Sequence, residues 1–198
     1  TDEQTDNDYD VSKFIQVQNR YIICNVKKGM MVVDQNLAHF RIKYEDILGR
    51  LKSSAQNSQQ QLFPQNINLT KNDGEILKSL FEELKNIGFE IEDAGKGNFV
   101  IVGVPADLTD TNIPSVIESI IENHKSNVNE LDFDKNINIA KSIAIRSAIK
   151  NGTKLDKREM KEIFDSLFKC KAPTVSPDGK NILKTIGESE LEEILKNP

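Results

Sequence analysis

The stretch Asp34 to Glu45, DQNLAHFRIKYE, sets a carboxylate, an amide and an imidazole within six residues, directly after the apolar run GMMVV. Side chains of these types bind divalent cations or move protons. Asp34 falls at an apparent strand end, where an acid is also a common N-cap for the helix that follows. His39, alone near that helix start, reads as a surface or half-buried polar contact. His124, in ENHKSN, reads as a helix end, where a partly charged imidazole favours the dipole. Neither histidine has a nucleophile pattern beside it. Cys24 and Cys170 have no CxxC partner, which excludes a disulfide framework and a sequence-local zinc motif, so both read as structural.

The elements that must position these groups follow from periodicity. Residues 13–26, rich in Ile and Val and broken at Asn19-Arg20, predict a hairpin, and Met30 to Val33 a third strand after the turn Lys27-Lys28-Gly29. Leu37, Phe40, Tyr44, Ile47, Leu48 and Leu51 recur at helical steps, and the polar run KSSAQNSQQQ closes that helix. An extended segment runs from Leu62 through Pro64 to Leu69. Thr70 and Asp73 then cap one helix, with Ile76, Leu77, Leu80, Phe81, Leu84 and Ile87 inward and Gly88 at its end. FEIED and NFVIVGVP predict a second hairpin through Ala94-Gly95-Lys96-Gly97. Helices are expected at about 113–124, 137–150 and 156–169, the last with Asp156 and Glu159 as a capping box. A loop, a short strand and a final helix complete the chain.

The mixture of hairpins and helices predicts an α+β fold with two lobes. Residues 1–12 are expected to be a disordered acidic linker end. Residues 13–58 and 136–198 are expected to form one discontinuous lobe, and 59–135 an inserted αβ lobe. The first residue is Thr, so the chain reads as a fragment of something longer. The net charge of −5 sits in the opening ten residues, which hold five acids and no base; beyond them 26 acids balance 26 bases. A neutral body is a poor global match for a DNA polyanion. No apolar run approaches the roughly 20 residues of a membrane span, and no signal peptide is visible, so an intracellular protein is expected.

Taken together, GMMVVDQNLAHFRIKYE, QQQLFP, GFEIEDAGKGNFVIVGVPADL, SIAIRSAIKNG, LDKREMKEIFDSLFKC and SPDGK resemble, in order, blocks of the C-terminal dimerisation domain of the MutL mismatch-repair family. Members of that family that nick DNA assemble a metal site from DQHAxxExxxxE, an ACR motif and CPHGRP. Here the motif His is Asn36, the following Glu is Phe40, the ACR cysteine is Ile145, and CPH is Ser176-Pro177-Asp178. Asp34 and Glu45 are kept. The resemblance therefore implies a non-nicking domain without a metal. The alternative is a divergent metal-dependent nicking endonuclease using Asp34, Glu45 and Asp178, with Asp34, Asn36 and Asp178 as a weak oxygen site for Mg or Mn. A generic α+β interaction domain that shares only the fold is a third reading.

Gln59, Leu62 and Pro64 keep a Q-x-x-L-x-P pattern similar to the family's sliding-clamp motif. An amide for directed hydrogen bonds, with Leu62 and Phe63 for an apolar groove, suits an extended docking peptide. The plain alternative is that these residues merely begin a strand. The resemblance further implies a homodimer, with 13–58 and 136–198 as the dimerisation lobe, 59–135 as an inserted regulatory lobe, and the hairpin at 14–26 and the terminal helices as candidate interface. It implies ATP and Mg bound by an N-terminal domain outside this chain, with no cofactor here. Contact with DNA and a mismatch-recognition protein would come through the full-length protein, in a bacterial cytoplasm and at the nucleoid during repair, with no membrane role.

Overall fold

The computed structural model describes residues 14–27, 29–53, 58–108, 111–127 and 134–196. The expected acidic linker end, Lys28 of the first turn, most of the link VNELDFDKN and part of the polar run after Ser53 lie outside them. The fold is α+β, and the chain divides into two compact units, one within Thr1–Ile42 and Ala148–Pro198, the other Lys43–Ser147. The division falls inside a helix and after another, at 42/43 and 147/148.

In the first unit, β1 (Ile15–Val17), β2 (Tyr21–Val26), β3 (Gly29–Asp34) and β7 (Leu183–Gly187) form an antiparallel sheet in the order β1-β2-β3-β7. Alternation in β2 sends Ile22 and Cys24 inward. They meet Met160, Ile163, Phe164 and Leu167 of α6 (Lys157–Lys169). Phe164 stacks at 5.1 Å on Phe14 and 4.9 Å on Phe168. The capping box is present: Asp156 accepts from Glu159 N, and the Glu159 carboxylate accepts from Asp156 N. Burial of Cys24 in this core pushes its thiol up to about 11, so it is inert. The final helix, α7 (Glu188–Lys196), follows β7 directly.

In the second unit, β4 (Ser58–Asn68), β5 (Glu90–Gly95) and β6 (Asn98–Pro105) form a sheet with β6 central. Phe99 of β6 packs edge-on against Phe81, and Gly74 lets its helix approach that ring. The single helix expected after Thr70 is two, α2 (Lys71–Ser79) and α3 (Phe81–Asn86). The Ser79 hydroxyl donates to the Ile76 carbonyl, and Leu80 closes a tighter turn onto Leu77. Thr70 caps α2 as expected, accepting from Asp73 N. The helices α4 (Ile113–Asn127) and α5 (Lys135–Ser147) pack on each other, with Asn123 donating to the Ser142 hydroxyl at 2.7 Å. The long helix α1 (Gln35–Ser53) runs through the division; Ala38 and Phe40 are buried in its first part, Ile47 and Leu51 in its second.

Candidate functional site

Two places carry the expected chemistry: the junction of β3 with α1, and the start of β4. At the junction, Asp34 is a buried N-cap. Its Oδ1 accepts from the backbone N–H groups of Asn36 and Leu37 at 3.0 and 3.1 Å, and its Oδ2 accepts from Arg20 Nε at 3.2 Å. Asn36 is also engaged, its Nδ2 donating to the Ile149 carbonyl at 2.7 Å. The His39 Nδ1 accepts the Ile149 N–H at 2.9 Å, which requires that nitrogen to be unprotonated.

No motif or periodicity announces how this network continues. Gln35, fully buried, donates to the carbonyls of Asn19 and Thr153 and accepts from Gln16. Gln16 also donates to the Thr153 carbonyl and accepts from Leu155 N, while Gly152 N donates to Asn19. Residues 149–155 are thereby tied to β1, to the turn after it and to the first turns of α1. This explains why α5 stops at Ser147 instead of continuing to about 150: the next backbone groups are taken by α1 and β1.

The residues present do not fit a metal. Phe40 is 2% exposed and offers no donor atom. Asn36 spends its amide on Ile149. Ser176 is buried in a turn, donating its hydroxyl to Asp178 Oδ1 at 2.6 Å and accepting from Lys180 N. Burial would raise the Asp178 carboxyl, but the bonds from Ser176 and Lys180 outweigh it and hold it below the usual range. Glu45 and Ile145 belong to the second unit, where Ile145 is half exposed on α5. Among the described residues no group of three or more His, Cys, Asp or Glu is placed to hold a metal ion. His124 departs from the expected helix-end charge: burial, then the Lys135 charge, lower its proton affinity and favour the neutral ring.

The second place is an irregular edge strand. The β4–β6 register jumps from Gln60↔Gly103 to Gln65↔Ile101, so Gln61 to Pro64 stand against the single residue Val102. The protruding Leu62 and Phe63 are 92% and 85% exposed, an arrangement that no core requirement explains. Gln60 Nε2 donates to Glu90 Oε2 across β6, and bonds from Ser58 and then Gln60 keep the Glu90 carboxyl low. The reach is possible because Gly103 lies between them; a Cβ there would come within 2.6 Å of Ser58 Oγ and 3.0 Å of Glu90 Cδ. A glycine inside the apolar strand NFVIVGVP was the available sign of this close approach.

The first unit also exposes apolar side chains at the places expected for self-association. Ile15 is 60% exposed on the edge strand β1, and Ile194 and Leu195 of α7 are 60% and 86% exposed. No helix among the described residues is long and apolar enough to cross a membrane.

Comparison with known proteins agrees with the motif order. A family model described as "MutL C terminal dimerisation domain" matches residues 14–155. DNA mismatch repair protein MutL of Chlorobaculum parvum is 37% identical over 182 residues, 92% of this chain and 29% of that protein. Those of Chlorobaculum tepidum and Chlorobium limicola are 36% and 34% identical with the same coverage. The chain thus spans less than a third of the length of the curated relatives it matches. By this match and by the blocks that carry it, the chain belongs to the MutL C-terminal dimerisation domain family.

Proposed function

We propose that this chain is the part of a MutL-type mismatch repair protein that pairs two copies and docks on the DNA polymerase sliding clamp through Gln59, Leu62, Phe63 and Pro64, without nicking DNA itself. The observation that carries the clamp contact is the protruding edge bulge: Leu62 and Phe63 are offered to solvent on an extended backbone next to Gln59. Apolar side chains on a strand edge suit insertion into a groove, with main-chain and amide hydrogen bonds setting register. Against nuclease activity stand the engaged Asp34 and Asn36 and the buried ring of Phe40.

Pairing is supported by family membership and by the exposed apolar groups of β1 and α7, which an isologous interface would bury in both copies. In the full-length protein the pair raises the effective concentration of one N-terminal ATPase domain near its twin. ATP and Mg would bind there, and DNA and the mismatch-recognition protein would be met through the assembled dimer, in the bacterial cytoplasm. The clamp contact is tested by surface plasmon resonance on the cognate clamp: Gln59→Ala with Leu62→Ala should abolish binding, and unchanged binding would remove the motif from this account.

A further inference from the structure

We propose that the outer edge of β5 is a docking groove for an extended segment of a second protein in which apolar residues alternate with Lys or Arg. β5 ends its sheet, and among the described residues no strand pairs with its outer side. Its outward N–H and C=O groups are therefore a template for strand addition. Beside that edge lies a groove of about 330 Å³ between β5 and α3. Its floor is apolar, from Phe81 and Leu84 of α3, Phe89 and Ile91. The β5–β6 register passes from Glu90↔Gly103 to Ile91↔Ile101, leaving Val102 without an opposite residue, and Val102 lines the groove too.

Alternation along β5 fixes what an added strand must look like. Ile91 and Glu92, adjacent on the strand, point to opposite faces of the sheet, and the Glu90 carboxylate reaches across β6 to Gln60. A strand laid beside β5 then sets every second side chain next to Ile91 and the aromatic floor, and the ones between next to carboxylates. Glu82 and Glu92 are the exposed carboxylates that line the groove against the single base Lys85, while Glu90, which also lines it, turns its carboxylate across β6 to Gln60. The charge bias is wider than the groove: residues 43–147 hold 16 acids and 11 Lys or Arg, while the rest of the chain is balanced at 15 each. Residues 43–147 thus carry a net −5, while residues 11–42 and 148–198, with 10 acids and 15 bases, offset the acidic opening ten.

A cationic partner is thus drawn in and an acidic one repelled. The chain's own undescribed segments do not complement the groove: residues 1–13 carry five acids and one Lys, 54–57 no charge, and 128–133 two acids and no base. Charges on an edge strand also prevent self-pairing; a purely protective role predicts no selectivity for alternating cationic peptides.

The test uses the whole chain, ¹⁵N-labelled, titrated with a nonapeptide of alternating Lys and Val. Controls are a peptide of the same composition with Lys and Val in separate blocks, and an alternating Glu and Val peptide. The alternating cationic peptide should shift the amide signals of Glu90 to Asp93 and bind at least about tenfold tighter than either control. Glu82→Lys with Glu92→Lys, both exposed positions, should weaken it by about tenfold. Gln59→Ala with Leu62→Ala should leave it unchanged, which separates this groove from the clamp contact. Equal binding of the block peptide, shifts that avoid β5, or no effect of the charge reversal would overturn the proposal. So would a change of mass in light scattering on charge reversal, which would assign the edge to a second copy.

Discussion

Gln60 and Glu90 meet side chain to side chain at 2.5 Å over a glycine on the strand between them, and this contact anchors the residue immediately before the protruding bulge. Gly103→Ala would insert a methyl group into that bridge. The expected cost is about 1–3 kcal/mol, because Ser58 and Glu90 must both move. Chemical denaturation gives the stability change, and clamp binding should weaken with it. Full stability in the variant would show that the strands relax freely there.

Phe40→Glu, which restores the residue type of nicking relatives at this position, should not restore activity. It places an unpaired carboxylate in a buried site, and a loss on the order of 4 kcal/mol is expected. Thermal melting of the single variant checks this. A melting temperature equal to the parent would mean that the position opens to water.

Asp34→Ala removes the cap of α1 and the partner of Arg20, with an expected loss of about 1 kcal/mol. Asp34→Asn should keep most of the cap, since an amide oxygen also accepts. If Asp34 instead served a metal, both variants would abolish Mn-dependent nicking of supercoiled plasmid. The expected result is no nicking by the parent chain either; activity that disappears in Asp34→Asn would overturn the non-nicking reading.

Acid sensitivity should centre on Asp107. Burial tends to raise its carboxyl, but hydrogen bonds and charge from Arg50 and Lys43 prevail and lower it. A carboxyl depressed in the folded state stabilises above its unfolded value of about 4 and loses that contribution as pH falls through the folded value. Asp107→Asn should therefore destabilise the chain at neutral pH, by up to about 1 kcal/mol because the cluster is partly exposed and screened by solvent, and make little difference near pH 2. Urea midpoints at fixed protein concentration measure both. A gap that persists at low pH would assign the effect to packing.

Self-association should depend on the apolar groups of β1 and α7. Ile15→Asp with Leu195→Asp places charges where an isologous contact repeats each of them. Light scattering at tens of micromolar is expected to give a dimer for the parent and a monomer for the variant. A monomeric parent would count against pairing through this chain alone.

Periodicity and capping chemistry made most elements readable in advance. Asp156 with Glu159, and Thr70 with Asp73, mark helix starts through contacts three residues apart, which sequence displays directly. The errors lie where distant backbone competes. The end of α5 could not be read because Ile149 is claimed by Asn36 and His39, more than a hundred residues away. At the candidate site, the missing ligand types were legible from Asn36 and Phe40 alone. The roles those positions have instead were not, since a hydrogen bond to Ile149 depends on the fold. Likewise Leu62 and Phe63 were legible as a candidate docking pair or as the start of a strand, and only the register jump opposite Val102 reveals how far they protrude.

The bond between Asn36 and Ile149 also bears on how reversible the altered motif is. A lone Asn36→His exchange would forfeit an amide tie to the 149–155 segment before a second and third ligand existed to reward the imidazole. A change at position 36 is therefore felt first in the loop that its amide holds.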